Sequence, residues 1–385
     1  MAGTTLRMTR RQLLRAALAV GGAALGGGAL AGCTPEPAGG RDDAPVTIGF
    51  VPIACASPLL AADGLGLFER HGVRVRLRKF SGWADLWTAY AVGEIDVAHM
   101  LSPMPVALDA GVTNAARPTR IVFTQNTNGQ AVTLGARHHP GVRGAADLEG
   151  MTIGIPFEYS VHALLLRDYL TAHGLDPVAD LELRLLRPAD MIAQMSVGTI
   201  DGFIGPEPFL QRSLATGSGR VFELTKDMWD GHPCCAVAMA KDFLADAPGP
   251  ARRIVAALEE AARFVNNPEH AHRAAPLLGA EAYLNQKPEF IEPALRGSYL
   301  SWGDEEIEDP DYLRFGDPTS YLAIAWMATQ IARFGLGGGA LELDDAAVAA
   351  VTDSVLPADG DRDLTPVEIN GTRFDPARPT AAYRR

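Results

Sequence analysis

Cysteine is scarce in this chain. Four thiols among 385 residues exclude a disulfide-held scaffold, and their positions (33, 55, 234 and 235) give none of the paired spacings of a zinc motif. The adjacent Cys234-Cys235 pair either stays as thiols or closes as a strained vicinal disulfide. Basic residues are also short, 34 Lys and Arg against 46 Asp and Glu, for a net charge of −12. Nucleic-acid binding needs clustered Lys and Arg to neutralise phosphates, so that partner is excluded. Broad electrostatic adhesion to anionic lipid is excluded on the same ground.

The chain has one conspicuous uncharged stretch, Ala16 to Gly32, built mostly from Ala, Gly and Leu. It follows Thr9-Arg10-Arg11-Gln12-Leu13-Leu14-Arg15 and closes on Leu30-Ala31-Gly32-Cys33. A paired-Arg head, a short apolar core and small residues before a cleavage point read as an export signal. A helix crossing the hydrocarbon core needs about 20 apolar residues, more than this Gly-rich run supplies. The twin Arg resembles a Tat signal, and the final four residues resemble a lipoprotein box with Cys33 as the lipidated residue. A plain N-terminal membrane anchor is the alternative. Loss of residues 1–32 removes four Arg and no acid, leaving 30 basic and 46 acidic residues and a charge of −16. The expected location is the outer face of the cytoplasmic membrane, with lipid as the tether.

Residues 33–45 are a Pro- and Gly-rich spacer. Beyond it the chain is long enough for two lobes. Short β-type runs alternate with amphipathic ones, which reads as α/β with mainly parallel sheets. Strands are predicted at 46–51, 73–80, 95–100, 120–124, 130–136, 152–155, 181–186, 202–204, 221–224 and 236–240. Helices are predicted at 59–70, 83–92, 160–173, 188–197 and 250–266. A further helix over 318–334 would have Asp317 as its N-cap, Pro318 in its first turn and Gly335 after it. The tail after about Asp353 is polar and Pro-rich.

In open parallel sheets, ligands sit beyond the carboxyl ends of the strands. That nominates Pro52–Pro58, Ser81-Gly82-Trp83 and Leu101–Pro105 in one half. In the other it nominates Pro156–His162, Gly205–Pro208 and Trp229–Cys235. These loops carry hydroxyls, an indole, imidazoles and helix starts, whose free N–H groups favour small anions. Trp83 fits a core position as well as a pocket wall. His99 reads first as a structural histidine, and Asp96 and Asp201 as strand-start turns.

At these loops the chain resembles the nitrate/bicarbonate-binding proteins of ABC importers, relatives of the taurine and sulfonate binders. Carrying the resemblance are Gly49-Phe50-Val51-Pro52, Ala56-Ser57-Pro58-Leu59 and Gly93 through Pro105. Asn128-Gly129-Gln130, Met195 through Phe203, Glu207-Pro208, Trp229 through Pro233 and Arg333-Phe334-Gly335 follow in order. The resemblance implies a two-lobe type II periplasmic-binding-protein fold with the ligand cleft between the lobes. Residues 46–127 and 230–345 would form one lobe, 128–229 the other, and 346–385 a C-terminal extension. Hinge crossings are expected near Thr127 and Asp230.

The implied activity is extracytoplasmic solute binding, not catalysis, with an ABC permease and ATPase as partners. The ligand would be an oxoanion (nitrate, nitrite or bicarbonate) or a sulfonate. Family contacts fall on Trp83, Gln130 and His162, with Pro52, Ser102, Glu207 and Cys235 completing the expected ligand set. Two positions depart from the family: a glycine is replaced by Pro206 and a lysine by Cys235. No cofactor is expected beyond a calcium ion on Glu207, as in bicarbonate-binding relatives. Other readings are a pyrimidine-type binder, a thiol-dependent enzyme using Cys234-Cys235 with His232 and His162, and a surface receptor for a membrane sensor.

Overall fold

A computed structural model describes residues 44–113, 116–336 and 339–384. The export signal, Cys33 and nearly all of the spacer lie outside the described residues.

Two sheets organise these residues. The first holds β1 (Val46–Phe50), β2 (Val75–Lys79), β3 (Val97–Leu101), β4 (Thr119–Asn128), β10 (Pro233–Ala240) and β13 (Leu313–Phe315) in the order β13-β4-β10-β3-β1-β2. The second holds β5 (Gln130–Gly135), β6 (Thr152–Ile155), β7 (Glu182–Leu185), β8 (Gly202–Pro206) and β9 (Gly219–Leu224) in the order β7-β6-β8-β5-β9. Two hairpins complete the strands: β11 (Ser298–Leu300) with β12 (Glu306–Glu308), and β14 (Val367–Ile369) with β15 (Thr372–Phe374). Strand β3 is buried at all five residues, as a strand covered on both faces must be.

The sheets are mixed, which corrects the expectation of mainly parallel ones. β1 pairs in parallel with β2 and β3, and β6 with β7 and β8. Antiparallel pairs β10·β3, β10·β4, β5·β8 and β5·β9 lie beside them. The cause is the crossing between the sheets. Strands β5 and β10 each begin where the chain arrives from the other sheet, so they enter at the carboxyl ends of the parallel strands and run against them.

Helices form close to their expected positions, with instructive shifts. The run 59–70 is two helices, Ser57–Gly64 and Leu67–Arg70, broken where Gly66 takes φ +65°. The helix expected from Pro318 begins instead at Tyr321, and Ser320, not Asp317, accepts the capping bond from the Ala323 N–H. Asp317 is engaged elsewhere, accepting from the Thr127 hydroxyl and pairing with Arg314. Gly335 follows Arg333 and Phe334 at φ +62°, the left-handed position that favours glycine after a helix.

The C-terminal extension is built in. Asp344 caps the helix Asp345–Val355 by accepting from the Ala346 and Ala347 N–H groups, and that helix buries Val348, Val351 and Val355. The β14–β15 hairpin then docks Asn370, whose N–H donates to the Met228 carbonyl at 2.8 Å.

Candidate functional site

The two sheets are joined by two adjacent crossings. At the first, Asn128 (φ +55°) and Gly129 (φ +81°) turn the chain from β4 into β5. A Cβ on Gly129 would sit 2.5 Å from Leu313, so both space and backbone demand glycine. The second crossing returns through Thr225–Met228 and Trp229-Asp230-Gly231 to β10. Asn128 ties them together: its Nδ2 donates to Asp230 at 3.0 Å, its Oδ1 accepts from the Gly231 N–H at 2.9 Å, and its N–H donates to the His232 carbonyl.

Next to these crossings lies a sealed polar cluster drawing on both sheets. Cys55 comes from the short 3-10 turn after β1, and Cys234 and Cys235 from the start of β10. Gln130 opens β5, His162 sits in the first turn of the Val161–Ala172 helix, and Glu207 follows β8. All six are buried. Adjacent strand residues normally face opposite sides. Here β10 advances from Pro233 to Cys235 while β4 advances only from Thr127 to Asn126, a bulge at Cys234. A bulge re-aims its side chain, and the two sulfurs stand 3.6 Å apart. Cys55 Sγ lies 3.9 Å from Cys234 Sγ, His162 Nε2 lies 3.9 Å from the same sulfur, and Gln130 Nε2 reaches to 4.0 Å of Cys55.

The electrostatics follow from burial. His99, His162 and His232 are pushed down by desolvation to about 3, about 3 and about 4, so their imidazoles are neutral at pH 7. Glu207 is pushed up by burial to about 7 despite accepting hydrogen bonds from the Tyr312 hydroxyl (2.5 Å) and the Gln211 N–H (3.2 Å). Burial would raise the Cys55 thiol, but hydrogen bonds from Cys234 and Cys235, from its own backbone and from Gln130 carry it down to about 5. Cys234 and Cys235 move up with burial. Among the described residues Arg167 is the only buried Lys or Arg; the acid interacting with it is Glu158, and its Nη1 has no hydrogen-bond partner.

Several buried polar atoms here have no hydrogen-bond partner: Trp83 Nε1, both ring nitrogens of His99, Ser102 Oγ and His162 Nδ1. Trp83 opens its helix and lies 5.5 Å from the His99 ring. Ser102 follows β3, with its N–H bonded to the Cys234 carbonyl. An unsatisfied buried polar atom costs about 1–3 kcal/mol, so these atoms are where a ligand or ordered water would bond.

Of the residues nominated from sequence, Gln130, His162 and Cys235 meet at the cluster. Glu207 abuts it: its carbonyl accepts from the Ala54 N–H at 2.8 Å, next to Cys55. Trp83 and Ser102 lie along the same string, while Pro52 is half-buried at the end of β1. Asp96 and Asp201 are structural, pairing with Arg117 and with Arg137 and His138. Sequence reasoning set His99 aside, although its place on an all-apolar strand was a signal. It missed Tyr312 altogether, and nothing local to that residue could have revealed a contact 105 positions away.

The donor set fits two expected ligands poorly. Calcium takes 6–8 oxygen ligands, whereas Glu207 is already bonded to a phenol and an amide and holds its proton more tightly than an ordinary carboxylate. An oxoanion would find no formal positive charge on neutral His162 in place of the absent lysine and would rest on N–H donors alone.

Comparison with known proteins adds the following. The sequence profile described as the NMT1-like family matches residues 39–279. The bicarbonate transport ATP-binding protein CmpC of Synechocystis sp. is 30% identical over 314 residues, 77% of this chain and 47% of that protein. The nitrate/nitrite binding protein NrtA of Nostoc sp. is 27% identical over 370 residues, 86% of this chain and 83% of that protein. The chain thus spans about half the length of the ATP-binding relatives and most of the binding-protein relatives. The periplasmic nitrate-binding protein NrtA from Synechocystis superposes with a TM-score of 0.81 at 23% identity, covering 89% of this chain and 98% of that one. The fold is therefore that of the periplasmic binding proteins.

Proposed function

This chain belongs to the NMT1-like family, and from that premise we propose that it is the solute-binding component of an ABC importer, exported and tethered through Cys33. The binding-protein fold, the NrtA relatives and the ATP-binding relatives named for nitrate import and bicarbonate transport support this reading. The observation that carries it is the string of unpartnered buried polar atoms from Trp83 and His99 to Ser102 and His162, beside paired crossings between two sheets. A ligand entering there would satisfy those atoms, and parting of the halves about Asn128–Gln130 and Trp229–Gly231 would admit it.

The ligand we propose is neutral or cationic, not a bare oxoanion. Glu207 and the Cys55 thiol adjoin the site, the histidines are neutral, and among the described residues the one buried cation, Arg167, interacts with Glu158. A thermal-shift panel on the full chain in detergent tests this with nitrate, nitrite, bicarbonate with and without calcium, taurine, alkanesulfonates and pyrimidines. A ligand at 100 times its Kd adds about 2.7 kcal/mol. The anions should be silent, and a saturable nitrate shift would overturn the charge reading. For the anchor, Cys33→Ala should abolish labelling by radioactive palmitate and release the chain from membranes. Unchanged labelling would rule out attachment at Cys33.

A further inference from the structure

Three thiols and an imidazole converge at the contact between the two halves, and no role in folding accounts for them. Cys55, Cys234 and Cys235 are all free and fully buried, and their sulfurs lie within 4.8 Å of one another. His162 is equally buried; its Nε2 faces the Cys234 sulfur, and its Nδ1 has no partner. A tetrahedral site with metal–sulfur bonds near 2.3 Å has ligand–ligand edges of about 3.8 Å. Cys234 Sγ lies 3.6 Å from Cys235 Sγ and 3.9 Å from Cys55 Sγ, close to such edges, and His162 Nε2 adjoins the same sulfur at 3.9 Å. The chain spends a β-bulge to bring the adjacent cysteines together, where a regular strand would part them.

We propose that Cys55, Cys234 and Cys235 bind one thiophilic d10 cation, Cu(I) or Zn(II), beside His162, and that this ion is the solute on which the two halves close. Soft thiolate and imidazole donors select such ions, while calcium and magnesium require oxygen ligands that the cluster does not offer. Each thiol that binds gives its proton to solvent. The three sulfurs come from the first sheet's half, and His162, 3.9 Å from the Cys234 sulfur, comes from the second, so the ion would lie where the halves meet. With all four groups sealed from solvent, an ion enters only when the halves part. This deepens the solute-binding reading and rests on it for the ion's role as cargo; the binding site itself stands on its own geometry.

The test uses the full chain, purified in detergent under anaerobic reducing conditions. It is titrated separately with Zn(II), with Cu(I) against a competing chelator, and with Cd(II) as the probe whose thiolate charge-transfer band is read in the ultraviolet. A Cys33→Ala control removes the thiol outside the described residues. One equivalent of metal is expected. Cys55→Ser, Cys234→Ser and Cys235→Ser should each weaken binding by more than the roughly 10–100-fold that loss of a supporting partner costs. Should a serine variant fail to fold, alkylation of the unmodified chain decides: one equivalent of Zn(II) or Cu(I) should protect all three cysteines together. Absence of a stoichiometric complex, or rapid alkylation of all three thiols with metal present, overturns the site. Reconstitution with the cognate permease and ATPase then separates the two ideas. Stoichiometric binding without metal uptake removes the cargo role and leaves the site; uptake of another solute by a chain that binds no metal removes the site and leaves the importer reading.

Discussion

Two groups of buried polar side chains differ in how their needs are met. Near the C-terminal extension, Asp168 is almost wholly buried, and its two oxygens are claimed by Arg333 at 2.5 Å and by Asn370 Nδ2 at 2.9 Å. Arg333 also donates to Gln330 and lies over the Tyr383 and Phe334 rings. Between the sheets, by contrast, His99, Ser102, Trp83 and His162 keep unpartnered atoms at comparable burial. In the first group the Asp168 carboxylate is closed by the chain's own residues and holds the extension in place, although Gln330 Nε2 and Asn370 Oδ1 keep no partner. The second is left open by the chain, as the proposed binding site requires.

The sharpest way to break this comparison is Arg333→Ala. It strands the buried Asp168 carboxylate, and unfolding should show a loss of about 3 kcal/mol. A loss below 0.5 kcal/mol would mean that Asp168 is satisfied without its cation. Asn128→Ala comes next. It removes the bonds to Asp230 and Gly231 and puts alanine at φ +55°, and about 2 kcal/mol should be lost in a urea titration.

Glu223 is a partly buried acid of a third kind, facing Asp227 on one side and His173 on the other. Burial first, and then Asp227, push it up to about 7. A carboxyl whose folded value lies above its unfolded one holds its proton more tightly when folded. Stability is then greatest below the unfolded value and falls as pH rises through about 7. Glu223→Gln escapes that fall, so its melting advantage should be absent near pH 4 and grow to about 1 kcal/mol above pH 7, solvent screening included. A pH-independent difference would show that Glu223 keeps an ordinary carboxyl. Ser102→Ala should move stability least, within about 0.5 kcal/mol, because no hydrogen bond is lost. If it proves as costly as Arg333→Ala, the two groups are not different in kind.

Much of the framework was legible locally. The Val161–Ala172 helix begins after Ser160, whose hydroxyl accepts from the Ala163 N–H, as a capping serine at the head of an apolar-periodic run implies. The run of β3, apolar but for His99, likewise announces a strand covered on both faces. Of the candidate site, His162, Glu207 and Cys235 could be nominated because they fall in loops at strand ends, and Gln130 through the family resemblance. The Pro318 start failed because two caps competed locally, and Asp317 was drawn off by Thr127, 190 residues away. The extension's role was illegible because Asn370 finds Asp168 only once the chain has returned across 202 positions.

By itself, the sequence determined which segments become strands and helices and which loops lie at the ends of strands, since periodicity, caps and glycine positions act over a few residues. It also carried the family's ordered motifs. Tertiary structure alone decided that the sheets are mixed, because direction is set by where a strand enters after crossing between them. It alone decided the charge state of the site, since neutral imidazoles and a proton-holding Glu207 follow from burial and not from residue type. And it alone brought Cys55 against Cys234 and Cys235, because β10 lies beside β3 and a bulge turns two neighbours to one side.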